Sequence, residues 1–245
     1  MEIRTFGGGE RLAECKRLLC DLLATCPGRL ILLPIPTSRD KKYITGSSTA
    51  IDEIMAFIDG DSIVVGYEIP STLLSFCDKN GILTYDLATD EDFLMANAIL
   101  TAHGTVGYLI TNYNRDLSDM RVGVVGYGRI GESLTRLLLL FGAEVVVYTT
   151  RGAVAMELCE NSVSALTPDR WDFSALDILI NTAPARQIDE SRLPPDLDII
   201  DLASGRIFEP SARLVKLPGI PEKMFPLTAG RLYAEAVKGR LEGRL

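Results

Sequence analysis

Arg121-Val122-Gly123-Val124-Val125-Gly126-Tyr127-Gly128-Arg129-Ile130-Gly131, followed by Glu132 to Phe141, is the stretch that decides the fold. A β-branched apolar run enters three glycines spaced G-x-G-x-x-G, and Leu134, Leu137, Leu138 and Phe141 then recur at helical spacing. Strand, turn and helix are each written separately. Gly126 permits the tight turn, Gly128 lets a backbone approach a pyrophosphate, and Gly131 lets the helix pack close on its strand. The helix N-terminus offers free N–H groups and a positive dipole to phosphates, and Arg129 adds a full charge. An unflanked G-x-G-x-x-G would leave a ligand-free turn as the better reading. With both flanks correct, Gly126, Gly128, Arg129, Ile130 and Gly131 are expected to hold a dinucleotide.

The next strand, Glu144 to Tyr148, bears on which dinucleotide. An NAD site normally places Asp or Glu at the end of this strand, about 20 residues past the glycines, to hold the ribose hydroxyls. Here the strand runs into Tyr148-Thr149-Thr150-Arg151-Gly152, with no carboxylate to repel a 2′-phosphate. Thr149 and Thr150 can bond such a phosphate and Arg151 can pair with it, so NADP is favoured and NAD stays open.

The chain has 245 residues, which favours two compact domains of about 100 to 140 residues each. A net charge of −8 without any stretch dense in Lys and Arg argues against nucleic acid and anionic membrane as partners. The longest apolar runs, Leu30 to Pro36 and Leu137 to Tyr148, are short or interrupted, and no basic-then-apolar signal opens the chain, which points to a cytoplasmic protein. Cys15, Cys20, Cys26, Cys77 and Cys159 lack C-x-x-C spacing and His103 is the one histidine, so no metal site is expected.

The first domain, expected over 1–89, opens with a strand from Glu2 to Phe6, then Gly7-Gly8-Gly9 and an amphipathic helix; with contiguous glycines this reads better as a structural turn than as a second fingerprint. Strands at Leu30 to Leu33, Ser62 to Val65 and Ile82 to Tyr85 alternate with helical patterns near Ser48 to Phe57 and Ser71 to Asp78, which predicts a small parallel sheet. Beyond its second strand, Thr37, Ser38 and Arg39 can grip a substrate carboxylate, or belong to a polar surface loop.

Thr89-Asp90-Glu91-Asp92 starts a long connector helix, assigned 90–114, into the dinucleotide domain at 115–227. On it Ala96, Ile99, Leu100, His103, Gly107 and Ile110 share one face, while Thr101, Thr105 and Tyr108 share another. Thr105 is a candidate substrate contact. His103 is either a core residue or the catalytic base, imidazole being the side chain suited to proton transfer near neutral pH. Later, buried strands end in Asn181-Thr182-Ala183-Pro184 and in Ala203-Ser204-Gly205-Arg206. Such ends face the nicotinamide half of the cofactor in a doubly wound sheet, so Asn181, Thr182, Ser204 and Arg206 are expected to line the reaction site, with Ser204 and Arg206 as catalytic candidates and Arg206 suited to a carboxylate. A terminal helix over 228–245 is expected to return to the first domain.

Asn181-Thr182-Ala183-Pro184, Asp201-Leu202-Ala203-Ser204, Leu217-Pro218-Gly219-Ile220-Pro221 and Thr228-Ala229-Gly230 together resemble the dipicolinate synthase A-subunit family, whose fold is similar to that of the D-2-hydroxy-acid dehydrogenases. The resemblance covers about Asp90 to Val237 best. It implies a Rossmann doubly wound parallel-sheet domain plus a smaller flavodoxin-like α/β domain, with Asn181, Thr182, Ala183, Pro184, Ala203 and Ser204 flanking the nicotinamide. It further implies NADP-dependent oxidation of dihydrodipicolinate, a small dicarboxylate, to dipicolinate during sporulation, in a homo-oligomer and beside a flavoprotein-like B subunit. The alternatives are a 2-hydroxy-acid-type dehydrogenase and a non-catalytic NADP-binding subunit.

Overall fold

The computed structural model describes residues 1–184, 188–203, 207–211 and 213–242. They form two all-parallel sheets in two compact units, Met1–Asn97 with Pro221–Leu245, and Ala98–Ile220. The first unit runs β1 (Glu2–Thr5), α1 (Glu10–Leu23), β2 (Arg29–Leu32), α2 (Ile51–Met55), β3 (Ser62–Gly66), α3 (Ser71–Lys79) and β4 (Leu83–Asp86), with strands in the order β1-β2-β3-β4. Helix α4 (Glu91–Asn112) begins in the first unit and ends in the second.

The second unit continues with β5 (Arg121–Val125), α5 (Arg129–Leu140), β6 (Glu144–Tyr148), α6 (Gly152–Glu160), β7 (Ser164–Leu166), β8 (Ile178–Asn181), β9 (Asp198–Asp201) and β10 (Leu214–Lys216). Its sheet has the order β10-β9-β8-β5-β6-β7. The order reverses between β5 and β8, the switch point at which a doubly wound sheet opens a crevice beyond its carboxyl ends. Helices α7 (Ile220–Met224) and α8 (Pro226–Leu241) close the chain.

Central strands are buried on both faces, so they read as unbroken apolar runs rather than alternating ones. Leu30, Ile31, Leu32, Val64 and Val65 are fully buried in the first unit, as are Val122, Val124, Ile178, Leu179 and Ile180 in the second. In the first unit α8 packs along α1, and the phenol of the fully buried Tyr233 donates to Leu33 O at 2.8 Å and Val65 O at 3.2 Å. That single side chain satisfies carbonyls just beyond β2 and within β3.

Three elements differ from the sequence reading. Helix α2 starts at Ile51 instead of Ser48, because the Ser47 and Thr49 hydroxyls bond each other at 2.7 Å and Thr49 N donates to Ser47 Oγ at 3.0 Å, which holds the loop out of the helix. Helix α8 begins at Pro226, where proline's fixed φ suits a first turn and its missing N–H costs nothing. On α4 the buried positions are Phe93, Ala98, Leu100, Thr101, Ala102, Gly104, Thr105, Val106 and Leu109, while Ile99, His103 and Ile110 are exposed. Of the face expected to carry His103, Leu100 is buried whereas Ile99, His103 and Ile110 are exposed. This helix is apolar nearly all round, so periodicity could not choose its buried side. By length and composition alone it could also cross a membrane, yet half of its most apolar window is buried in the protein, with Ala102, Val106 and Leu109 in the second unit's core.

Candidate functional site

The carboxyl end of β5 delivers the glycine turn. Gly126 takes φ +87°, and its N–H donates to Tyr148 O at 2.8 Å, which ties the turn to β6. A Cβ on Gly131 would overlap Gly126 O and press on Thr182 Oγ1, so the first turn of α5 can lie against the strand only with glycine there. Gly128 is the opposite case: a Cβ added to it meets nothing within 4 Å. The open space lies at the start of α5, where a pyrophosphate would approach and the helix dipole favours an anion. These residues fit a dinucleotide. Arg129 is exposed beside them, Ile130 is half-buried, and Gly131 is buried.

On the neighbouring strand, Tyr148 stacks on Phe173 with centroids 4.7 Å apart and donates to Asp172 O at 2.5 Å. Burial, then the nearby Asp172 carboxylate, pushes its phenol up to about 12, so it stays a neutral donor. This anchor fixes the end of β6, from which Thr149, Thr150 and Arg151 emerge. Thr149 is buried and its Oγ1 accepts from Arg151 N at 3.2 Å; Thr150 and Arg151 are exposed. The Arg151 guanidinium reaches back to Tyr127 O inside the glycine turn. Phosphate turn and adenosine-side turn are therefore joined by a side chain that the sequence singled out for a different role. Burial, then Glu132, raises the pKa of Tyr127 itself.

Across the switch point, Asn181 and Thr182 are brought beside the glycine turn, but their polar groups face inward. The Thr182 hydroxyl donates to Val125 O at 2.9 Å. Asn181 is 1% exposed; its Nδ2 donates to Ala183 O at 3.1 Å and Asp201 Oδ1 at 2.8 Å, and its Oδ1 accepts from Ala183 N at 3.2 Å. Both side chains brace the ends of their strands. Ala183 is buried, Pro184 exposed and Ala203 half-buried. Ser204 and Arg206 lie outside the described residues.

The remaining candidates are scattered in their chemistry. His103 is exposed on α4, whereas Thr105 is fully buried with its hydroxyl donating to Thr101 O at 2.8 Å. Thr105 is thus a helix-core residue and cannot present its hydroxyl to a substrate. In the first unit, Thr37 Oγ1 accepts from Tyr67 N at 3.0 Å, and Ser38 Oγ donates to Tyr43 O at 2.6 Å. These two hydroxyls hold their loop and leave Arg39 exposed upon it. Sequence reasoning passed over Asp201, the carboxylate that receives Asn181. A charge set between Ile199-Ile200 and Leu202-Ala203 was the available signal, since a charged group inside a buried strand needs a partner.

Comparison with known proteins places this geometry. Residues 101–190 match the family model described as D-isomer specific 2-hydroxyacid dehydrogenase, NAD binding domain. The A subunit of dipicolinate synthase from Bacillus subtilis (strain 168) is 28% identical over 159 residues, 60% of this chain and 54% of the relative. The crystal structure of the Bacillus halodurans counterpart superposes with a TM-score of 0.78 at 24% identity, covering 98% of this chain and 97% of the other. The chain is similar to the A subunit of dipicolinate synthase. The corresponding Bacillus subtilis structure gives the same TM-score, 0.78, at 21% identity over 99% and 96%. At these identities the structures establish a shared fold. The match of residues 101–190 gives the ligand class, a nicotinamide dinucleotide.

Proposed function

We propose that the chain is an NAD(P)-dependent oxidoreductase of the dipicolinate synthase A type, converting dihydrodipicolinate to dipicolinate with NADP. The observation that carries this reading is the open space at Gly128 at the start of α5, in a chain whose whole fold is similar to that enzyme's A subunit. The absence of a carboxylate after β6, with Thr150 and Arg151 exposed there, supports NADP over NAD.

Aromatising a dihydropyridine ring removes one hydride and one proton. A nicotinamide dinucleotide bound at the Gly126–Gly131 turn would supply the hydride acceptor. The protein has to orient the ring, neutralise two carboxylates and take the proton. Arg206 and Arg39 are the proposed carboxylate partners, Ser204 a further contact at the reacting end, and His103 the proton acceptor. A dicarboxylate substrate, a homo-oligomer and a flavoprotein-like B subunit complete the reading, together with a place in sporulation and in the cytoplasm. The match to the 2-hydroxyacid dehydrogenase model favours one alternative, a 2-hydroxy-acid dehydrogenase; no histidine follows His103, so such an enzyme would need its base from elsewhere.

The test is dipicolinate formation from freshly generated dihydrodipicolinate with NADP or NAD, using the chain alone and mixed with a candidate B subunit. NADP-dependent product that disappears in Arg206→Ala supports the reading. Tight NADP binding without product under either condition, with turnover of a 2-hydroxy acid instead, would move the chain to the alternative.

A further inference from the structure

Asp201 closes β9 with 1% of its surface exposed, at the centre of the edge from which the nicotinamide-side turns leave the second unit's sheet. Its Oδ1 accepts from Asn181 Nδ2 at 2.8 Å and from Ala203 N at 3.1 Å. Asn181 is its partner across the β8–β9 ladder, and Lys216 its partner across β9–β10. Lys216 Nζ stands 3.7 Å from Asp201 Oδ2, an oxygen that is buried and makes no hydrogen bond of its own. One carboxylate therefore ties the ends of three adjacent strands.

Burying a carboxylate costs free energy, and a well-packed apolar residue would usually stabilise such a place as well or better. What an apolar residue cannot do is accept two N–H groups at once. Through Ala203 N the carboxylate fixes the start of the turn after β9. Through Asn181, whose amide also holds Ala183 N and O, it fixes the turn after β8. In a doubly wound sheet these two turns wall the nicotinamide half of the cofactor, while β5 and β6 serve the phosphate and adenosine half.

We propose that Asp201 is a positioning residue for the nicotinamide end of the site, setting the backbone at Ala183 and Ala203 without touching the ligand. The inference rests on the second unit binding a nicotinamide dinucleotide. Its signature is a split between the two halves of that ligand, because the phosphate turn has its own bracing from Thr182 and Arg151.

The experiment is calorimetric titration of the full-length chain with NADPH and NADH, and with their adenosine halves, 2′-phospho-ADP-ribose and ADP-ribose, accompanied by nicotinamide fluorescence. In Asp201→Ala the reduced dinucleotide should bind about tenfold more weakly, with the adenosine half within about twofold of wild type and the bound nicotinamide emission changed. Asp201→Asn keeps an oxygen that can accept both N–H groups, and should restore most of the loss. Asn181→Ala removes the link from the β8 side and should show the same split, which keeps the inference exposed if Asp201→Ala does not fold. Equal losses for dinucleotide and adenosine half, or no loss in either alanine variant, would overturn it while leaving the cofactor assignment intact. A wild-type chain that binds neither dinucleotide would overturn the cofactor assignment and this inference together.

Discussion

Both units feed a first strand into a glycine-rich turn and then a helix, yet the two turns are put to different uses. After β5 the middle glycine faces open space at the start of the helix behind it. After β1 the turn is built into the protein: a Cβ on Gly7 would crowd Thr45 O, Ile44 and Pro34, and one on Gly9 would overlap Glu222 Oε1. Glu222 therefore brings a carboxylate to the start of α1, where an anion is favoured, and its other oxygen lies 3.6 Å from Arg11 Nε. The first unit sets a carboxylate of its own against the third glycine of its turn, where the second unit keeps its middle glycine open. Similar local sequence becomes a site or a joint according to what the rest of the chain brings to it.

The largest effect should come from Gly131→Ala. Its methyl group would meet the backbone at Gly126, which cannot yield without moving β5 or α5. A loss of about 3 kcal/mol in chemical denaturation and no detectable dinucleotide binding are expected. Near-normal binding would mean that α5 does not lie against the turn as described.

In the first unit the matching break is Glu222→Ala. Arg11 is 4% exposed, burial lowers its pKa, and its Nε has no hydrogen bond, so removing Glu222 leaves a buried cation without its carboxylate. Glu222 itself is 31% exposed, which moderates the cost to about 2 kcal/mol. The double variant Arg11→Met with Glu222→Leu should recover much of it, since replacing both members of a buried pair is far cheaper than orphaning one. Dinucleotide affinity should stay within about twofold of wild type in both variants. If the double variant were the less stable of the two, the pair would have a role beyond mutual compensation.

Much of this architecture was legible in the sequence because it rests on short-range pattern. Apolar runs at 121–125, 144–148 and 178–181, glycine spacing and helical periodicity together dictate a doubly wound unit. Legibility ended where long-range partners decide. Nothing near Asn181 or Thr182 in sequence reveals that their polar atoms turn back onto Ala183, Val125 and Asp201. Thr105 looked available because a threonine on a helix is polar by type; its burial depends on which side of an almost uniformly apolar helix meets the core. The three-residue β7, Ser164–Leu166, carries too few positions to show a period and is a strand only because Val146, Val147 and Tyr148 lie beside it.

Gly128→Ala sharpens the contrast between the turns. With nothing within 4 Å of the added methyl, stability should stay within about 0.5 kcal/mol of wild type. Affinity for the dinucleotide should nevertheless fall at least about tenfold, because the methyl would occupy the space a pyrophosphate needs. Stability and binding thus separate at Gly128 and fall together at Gly131. A Gly128→Ala protein that binds like wild type would remove the main physical support for a ligand at this turn.

The smallest effect concerns acid. In the second unit, burial tends to raise the pKa of Asp177, but the hydrogen bond from Arg121 N at 2.7 Å and the Arg115 guanidinium at 2.5 Å outweigh it, and the net shift is downward. A carboxyl group lowered on folding contributes stability that is complete above its unfolded pKa, about 3.9, and is lost as pH falls through the folded value. Asp177 thus stabilises the second unit at neutral pH, and that contribution fades only below about pH 4. In the first unit Asp40 is also lowered, chiefly by the N–H groups of Tyr43 and Lys42, but it is fully solvated, so its pairing is weak and readily screened. Asp177→Asn should therefore lower stability at neutral pH and flatten the acid limb of the stability profile, whereas Asp40→Asn should leave that limb nearly unchanged. Denaturation series between pH 2 and pH 7 would read both. An acid limb altered equally by the two substitutions would show that solvated loop carboxylates, rather than the Arg115–Asp177 contact beside β5, set the protein's response to acid.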